Sequence, residues 1–486
     1  MMLLFSTLLT STSLADTKKP KKQEPNKQEA SAFSTTGELR ILGSLPPNFA
    51  VDSEGTMVGQ GFVLENRLRA GAQYTKENWK ASVQADLFTG QIAGDPWDLE
   101  GNLHRLHPET IGVLNPHNFA LREANVSGKL GKLYLQTGMM KSSWGLGLMA
   151  NDGETNQVFG KNDYGDRVLR TTISTRPIKP LLITVGGDWV VEDDLGAWSD
   201  DQLAFQGLLS SQFFFSKTNK LGIFVVYRHQ TEAIEEQYLK GWLVDLFGTT
   251  TYEVGDYKMT AAFEGAYLFG ESNRINNRNN PDGLKIQSYA ALTKLQVIHQ
   301  KIGDFAIRAG YASGDSDPYD DTMRTFTFDR DSNAGLLLFD QYQSAIEMGQ
   351  YNEITNPKYS EMPPSGIEAT ITEGAIRQAM FINPTWLAPI TQTFSVKTGS
   401  VVVWNTAPVA YGFETHRNGG VPTNRLGEPT DGYYLGTELD WGIVYKHQIN
   451  EMTGSVIFEG AHLLPSDNLT DEGLLSLYRA QLRLNW

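Results

Sequence analysis

Along most of this chain apolar and polar side chains alternate residue by residue. In Trp79 to Phe88, the residues Trp79, Ala81, Val83, Ala85 and Leu87 fall on one face and Lys80, Ser82, Gln84 and Asp86 on the other. Gly61 to Tyr74 sets Phe62, Leu64, Leu68, Ala70, Ala72 and Tyr74 against Glu65, Arg67, Arg69 and Gln73. Tyr257 to Phe269 sets Tyr257, Met259, Ala261, Phe263, Tyr267 and Phe269 against Lys258, Thr260 and Glu264. The chain closes on Tyr478, Ala480, Leu482, Leu484 and Trp486, opposite Arg479, Gln481, Arg483 and Asn485. Successive side chains of a strand point to opposite faces, so this period predicts strands with one apolar face.

Carried through the sequence, the pattern predicts strands near 38–45, 58–75, 79–90, 118–129, 131–142, 167–176, 181–191, 202–215 and 221–231. It continues near 238–251, 256–269, 285–299, 304–314, 374–387, 391–405, 435–449, 453–464 and 474–486. Tight links at 76–78, 177–180, 217–220, 253–255, 300–303 and 450–452 alternate with long ones at 91–117, 143–166, 192–201, 270–284, 315–373, 406–434 and 465–473. A soluble sandwich also alternates along its strands. Short turns at one end and long loops at the other mark a transmembrane barrel instead. No apolar run reaches the roughly 18 residues of a membrane helix. Lipid satisfies no backbone hydrogen bond, so a chain of this kind crosses a bilayer only as a closed barrel. The expected fold is all-β, a transmembrane antiparallel up-and-down β-barrel of about 18 strands, with sixteen as the alternative count and both termini in the periplasm. Trp79, Trp144, Trp189, Trp242, Trp386, Trp404, Trp441 and Trp486, near strand ends, fit interfacial girdles.

The N-terminus lies outside this pattern. Met1 to Leu14 is apolar apart from Ser and Thr, and Ser13-Leu14-Ala15 reads as a small-x-small cleavage site, which predicts a signal peptide over 1–15. Residues 16–36, rich in Lys, Gln, Glu and Ser, have little to bury and read as a disordered periplasmic tether. Residues 37–486 then form one outer-membrane barrel, whose longest loop, 315–373, is expected to fold as a plug or short extra strands. The expected partners are outer-membrane lipids, lipopolysaccharide, and the barrel-assembly machinery through the C-terminal strand ending in Trp486. A net charge of −15 over 486 residues offers no broad basic surface for nucleic acid. The absence of cysteine excludes disulfides and thiolate chemistry.

Strand parity also sorts the charges. Arg67, Arg69, Arg122, Arg170, Arg228, Arg308, Arg377, Arg479 and Arg483, with Lys80, Lys397 and Lys446, fall on the polar, lumen side. Their acidic companions there are Glu65, Asp86, Asp245, Glu264, Glu438, Asp440 and Glu459. An excess of cations in a pore attracts anions; the competing reading is a lumen tied by Arg–carboxylate pairs. Asp315, Asp317, Asp320 and Asp321, with Asp329 and Asp331 beyond, offer oxygen ligands of the kind Ca²⁺ takes, without the full EF-hand spacing; a solvated acidic loop is the simpler reading. His104, His107 and His117 suggest zinc, but no Glu follows the first His and Pro108 breaks a helix there. Gly145-Leu-Gly147 is a strand–loop junction lacking the Lys-Ser or Lys-Thr of a phosphate cradle, and no G-x-S-x-G marks a hydrolase.

Gly310-Tyr-Ala-Ser-Gly-Asp-Ser-Asp-Pro318, followed by Arg324-Thr-Phe326, resembles the alginate-export type of porin. Trp144 to Leu148 and Phe326 to Asp340 resemble uncharacterised barrel proteins of Gram-negative bacteria. The resemblance implies an 18-stranded barrel with an Arg- and Lys-lined passage for an anionic polymer. The residues that would select a uronic-acid chain are not carried over. The function expected from sequence is a porin-like outer-membrane channel, not an enzyme and needing no cofactor, for anionic or polar solutes, with an anionic polysaccharide as one candidate. The alternatives are a closed structural or surface-binding barrel and, third, a membrane hydrolase sited at the rim.

Overall fold

The computed structural model describes residues 32–486 apart from 53–54, 60, 95–97, 100–118, 155–157, 161–164, 191–202, 232–236, 278, 356–371, 373, 409–410, 425–426 and 470–471. Eighteen antiparallel strands close into one barrel. They are β1 (Ala32–Leu45), β2 (Val63–Lys76), β3 (Trp79–Gly94), β4 (Ala120–Leu130), β5 (Leu133–Lys141) and β6 (Arg167–Ile178). Next come β7 (Leu181–Trp189), β8 (Leu203–Phe214), β9 (Lys220–Thr231), β10 (Tyr238–Val254), β11 (Tyr257–Ser272) and β12 (Leu284–His299). The last six are β13 (Gly303–Ala312), β14 (Ala379–Pro389), β15 (Phe394–Asn405), β16 (Tyr434–Ile449), β17 (Met452–Pro465) and β18 (Leu475–Asn485). Each strand pairs with its neighbours in sequence, and β1 closes the ring on β18 from Glu38↔Asn485 to Leu45↔Tyr478. This is the architecture of outer-membrane barrels, whose closure leaves no edge strand in lipid.

Each predicted strand is present, and the count is eighteen rather than sixteen. Among the boundaries that moved, two lie near the N-terminus of the barrel. The first strand begins at Ala32, so residues 32–36, assigned to the tether, pair with β2 instead. The predicted strand at 58–75 is interrupted: Val58–Gly59 pairs with Asp98–Leu99, and the barrel strand starts at Val63. The signal-peptide and remaining tether residues, and the three histidines at 104, 107 and 117, lie outside the described residues.

Parity holds on the outer wall. Val83, Phe263, Leu482, Leu209 and Phe458 are all exposed, forming the apolar band that faces lipid. Inside, the barrel is not hollow. Segment 142–160, in its described parts, and segment 313–355 run into the lumen and carry a core that includes Leu148, Phe159, Phe326, Phe328, Leu337 and Tyr342. That core packs on inward-facing Leu208, Phe224, Val226, Leu243, Phe247 and Leu292 of the wall. A π-type turn (Leu338–Gln343) leads into α1 (Ser344–Thr355), and Phe49 of the β1–β2 connection packs on Tyr342 with ring centroids 4.5 Å apart. The plug expected from 315–373 is therefore real in its described part, and a two-residue strand, Thr322–Met323, pairs with β12.

Candidate functional site: a plugged lumen with an arginine wall

The inserted segments are held by carboxylates of the wall. On 142–160, Gly145 (φ +59°) and Gly147 (φ +81°) bend the chain so that the Leu146 amide donates to Glu264 Oε2, as does the Leu148 amide at 3.3 Å. A Cβ on Gly145 would stand 2.4 Å from that carboxylate, so the close approach requires glycine. Successive backbone amides around such turns form a nest for an anion, and here the anion is the protein's own. Trp144 Nε1 donates to Asp245 Oδ1 at 2.8 Å while its ring packs on Phe224 and Phe247. Further along, the Phe159 amide donates to Glu459 Oε1 at 2.6 Å and Lys397 Nζ donates to the Val158 carbonyl at 2.6 Å. The segment thus reaches from β5 to β10 and β11 and on to β15 and β17.

The second segment repeats the device. Gly335 (φ +79°) opens a run in which the amides of Leu336, Leu337 and Leu338 all donate to Glu438, the latter two at 2.9 and 2.7 Å. The two segments also bond to each other, Asp329 N to Leu148 O at 2.8 Å and Asn151 Nδ2 to Asp331 O at 3.1 Å. Both glycine-bearing runs that stood out in the sequence, Trp144 to Leu148 and Phe326 to Asp340, are these anchoring turns.

The predicted lumen arginines are found inside, with different fates. Arg67 Nε donates to Glu38 at 2.9 Å, and Arg483 reaches the same carboxylate at 3.8 Å. Arg69 forks onto Asp86 at 2.5 and 2.9 Å and meets Glu154 of the inserted segment at 2.8 Å. Arg479 lies 3.8 Å from Glu459 and 3.9 Å from Asp340. Arg122 donates to the Gly165 carbonyl at 2.7 Å, and Arg170 forks onto Asp188. Arg228 bonds Gln230 at 2.8 Å, and Arg308 donates to the Asn333 carbonyl of the plug. Arg377 was placed on a strand beginning near 374, but β14 begins at Ala379. Arg377 instead clamps Glu347 of α1 at 3.0 Å, tying the plug rather than lining a path.

What the sequence reading missed is Arg40. It is buried on β1 in register with Arg67 on one side and Arg483 on the other, so three guanidinium groups share one row across the closure seam. Its parity, two residues from Glu38 and flanked by Leu39 and Ile41, would have identified it. On β18, β1 and β2 together, the buried charges are Arg479, Arg483, Arg40, Arg67 and Arg69 against one carboxylate, Glu38, with Glu65 half-buried. This wall is net positive, because its other counter-charges reach in from neighbouring strands and from the plug.

The acidic loop is tied internally. Arg324 Nη1 meets Asp320 at 2.7 Å and Asp315 at 3.6 Å, and its amide donates to Asp315 at 3.0 Å. Lys285 meets Asp321 at 2.7 Å, and Asp317 accepts from the Tyr319 amide at 3.2 Å. The Lys285 hydrogen bond holds Asp321 below the usual carboxylate range, whereas burial pushes Asp315 up. Among the described residues no three metal-ligating side chains converge in a metal-binding arrangement. One Ser–His contact exists, His462 Nδ1 to Ser476 Oγ at 2.9 Å, on the side of β17 and β18 that carries exposed Leu464 and Tyr478. The Trp441 indole N–H donates to His462 Nε2 at 3.4 Å. His462 is thus bonded by an indole where a triad has a carboxylate, so this pair gives the hydrolase reading no support.

No family model matches the sequence, and no curated protein matches it. The fold is similar to that in the crystal structure of Pseudomonas aeruginosa OccK9 (OpdG), at 12% identity and a TM-score of 0.51, covering 93% of this chain and 98% of that one. Acinetobacter baumannii OccAB1 gives 10% identity, a TM-score of 0.51 and coverage of 93% and 96%. The Pseudomonas aeruginosa outer membrane protein OpdK gives 11%, 0.50, 93% and 98%. None of these three is an alginate-export porin, so the export-type resemblance gains nothing from them, while the barrel it implied stands. At these identities the likeness is one of fold, and the fold this chain shares is that of outer-membrane porins.

Proposed function

We propose that this protein is a porin-like channel for small anionic or polar solutes, with the path running along the β18–β1–β2 wall. The single observation that carries this reading is the in-register row Arg483–Arg40–Arg67, next to Glu38, in a wall with five buried arginines. Like charges directly opposite one another on a sheet are destabilising, so a row of three is retained against a structural cost that an anion in transit would relieve. Arg suits the task because it is always charged and forks onto carboxylates. The two inserted segments cross the lumen, which favours small solutes over a polysaccharide chain. Reversal potentials across a salt gradient in a planar bilayer test the proposal. Anion preference is expected, and Arg67→Ala with Arg479→Ala should reduce it without unfolding the barrel. Cation preference in the unmodified protein would reject the reading.

The tight apolar packing of the plug favours a second reading, a closed barrel whose long loops bind at the surface. Absence of any conductance from correctly folded protein would decide for it.

A further inference from the structure

Asp245 and Glu264 are completely or almost completely buried, at 0% and 1% exposure, on the adjacent strands β10 and β11. Each uses one oxygen to hold the inserted segment: Asp245 Oδ1 accepts from Trp144, and Glu264 Oε2 accepts from Leu146 and Leu148. The remaining two oxygens, Asp245 Oδ2 and Glu264 Oε1, are shielded from solvent and have no donor among the described residues. The two side chains are nevertheless in hydrogen-bonding contact with each other. Around them stand Phe224 on β9, opposite Asp245; Ala266 and Phe247 on the shared ladder; Leu292 on β12, opposite Glu264; and the Trp144 ring. None of these is charged; the cations on the same inward face include Lys220 on β9, over the Phe247 ring at 5.3 Å from its centroid, and Lys294 on β12, opposite Ala262 and two residues from Leu292.

Two carboxylates in contact in a dry site, with no cation paired to either among the described residues, do not both ionise, and an orphaned buried oxygen costs free energy unless something bonds it. We propose that Asp245 and Glu264 share one proton, and that this protonated pair is the latch that fastens segment 142–150 inside the barrel. With the proton in place, both orphaned oxygens are satisfied and both outer oxygens remain free to accept from the segment. When it leaves, two bare charges repel across the same contact and the pair separates, taking the Trp144 and Leu146 bonds with it. The passage through the lumen then widens on the β10–β11 side, remote from the arginine wall. The latch does not depend on which solute permeates, or on whether any does.

Two measurements on the detergent-solubilised full chain test this. Infrared spectroscopy should show the carbonyl stretch of a protonated carboxyl group, lost at alkaline pH and absent from both Asp245→Asn and Glu264→Gln. Loop release is read by thiol labelling of Leu146→Cys in this cysteine-free chain, normalised to Thr218→Cys in an exposed turn to remove the effect of thiolate fraction. From mildly acidic to alkaline pH the normalised labelling rate should rise by about tenfold or more, since the repulsion of two carboxylates at contact exceeds one decade in equilibrium constant. In the Asp245→Asn background, the amide keeps the Trp144 acceptor and donates to Glu264, so labelling should stay slow throughout. A protein without the protonated-carboxyl band removed by these substitutions would overturn the shared proton. A labelling profile that is flat in pH, or unchanged by Asp245→Asn, would overturn the latch.

Discussion

The lumen wall has two halves built on different principles. Along β18, β1 and β2 the inward face is ionic, with Arg479, Arg483, Glu38, Arg40, Arg67 and Arg69 all buried. Along β9 to β12 the inward face is mainly apolar, carrying Phe224, Val226, Leu243, Phe247, Ala262, Ala266, Ala290 and Leu292. Those strands present apolar residues to lipid on one side and to the inserted segments on the other. Of their few buried charges, Asp245 anchors the Trp144 indole and Glu264 the backbone amides of the inserted segment, while Arg228 bonds Gln230. The contrast shows that facing inward in a barrel does not mean facing water. The inserted segments meet the two halves differently, packing apolar side chains on β9 to β12 and reaching the arginine wall with the carboxylates Glu154 and Asp340.

The largest effect should come from the anchors. Glu438→Ala would strand three buried backbone amides, at about 1–3 kcal/mol for each unsatisfied donor, and so should cost at least about 3 kcal/mol. Thermal unfolding and proteolysis of segment 313–355 would report it, with exposed Glu428→Ala as a control within about 0.5 kcal/mol. Equal stability of the two variants would remove the distinction between anchoring and lining carboxylates.

The outer wall sharpens the comparison from the lipid side. Phe263→Arg or Val83→Arg should destabilise by about 2–4 kcal/mol near the bilayer midplane. Gln73→Arg on the inward side should lie within about 0.5 kcal/mol of the unmodified protein in the same refolding titration. If lipid and lumen positions tolerate arginine equally, the facing of the strands is misassigned.

A third effect is set by pH. Asp329 of the second segment is hydrogen-bonded to Asp166, and desolvation by burial pushes its carboxyl up to about 6, from an ordinary value of 3.8. The folded state then holds the proton more tightly than the unfolded chain. Its contribution is full below the unfolded value and is lost as pH rises through the folded one, an effect on the order of 3 kcal/mol. The stability difference between the unmodified protein and Asp329→Asn should therefore change between about pH 4 and pH 6 and be constant on either side. A difference that is flat across this window would show that the junction between the two segments is not buried.

The smallest effect is expected at the acidic loop. Asp315, Asp320 and Asp321 are engaged by Arg324 and Lys285, so millimolar calcium should leave the melting temperature nearly unchanged. A marked calcium-dependent rise, abolished by changing Asp315, Asp317, Asp320 and Asp321 to Asn, would establish a site there by mass action.

The sequence alone determined the barrel, its strands and which strand arginines lie on the inward face, Arg377 excepted because it precedes its strand. These are local properties, because a period of two places each side chain relative to its immediate neighbours. Even Arg40 was readable in this way, from its position between Leu39 and Ile41. Tertiary structure alone decided what the inward carboxylates do. Glu438 meets Leu336 and its neighbours from about 100 residues away, and Glu459 meets Phe159 from 300 away. Nothing in strand parity distinguishes a carboxylate paired to arginine from one wrapped by the amides of a distant glycine turn, since both are inward, buried and charged. The choice follows from where the long loops go once the ring has closed.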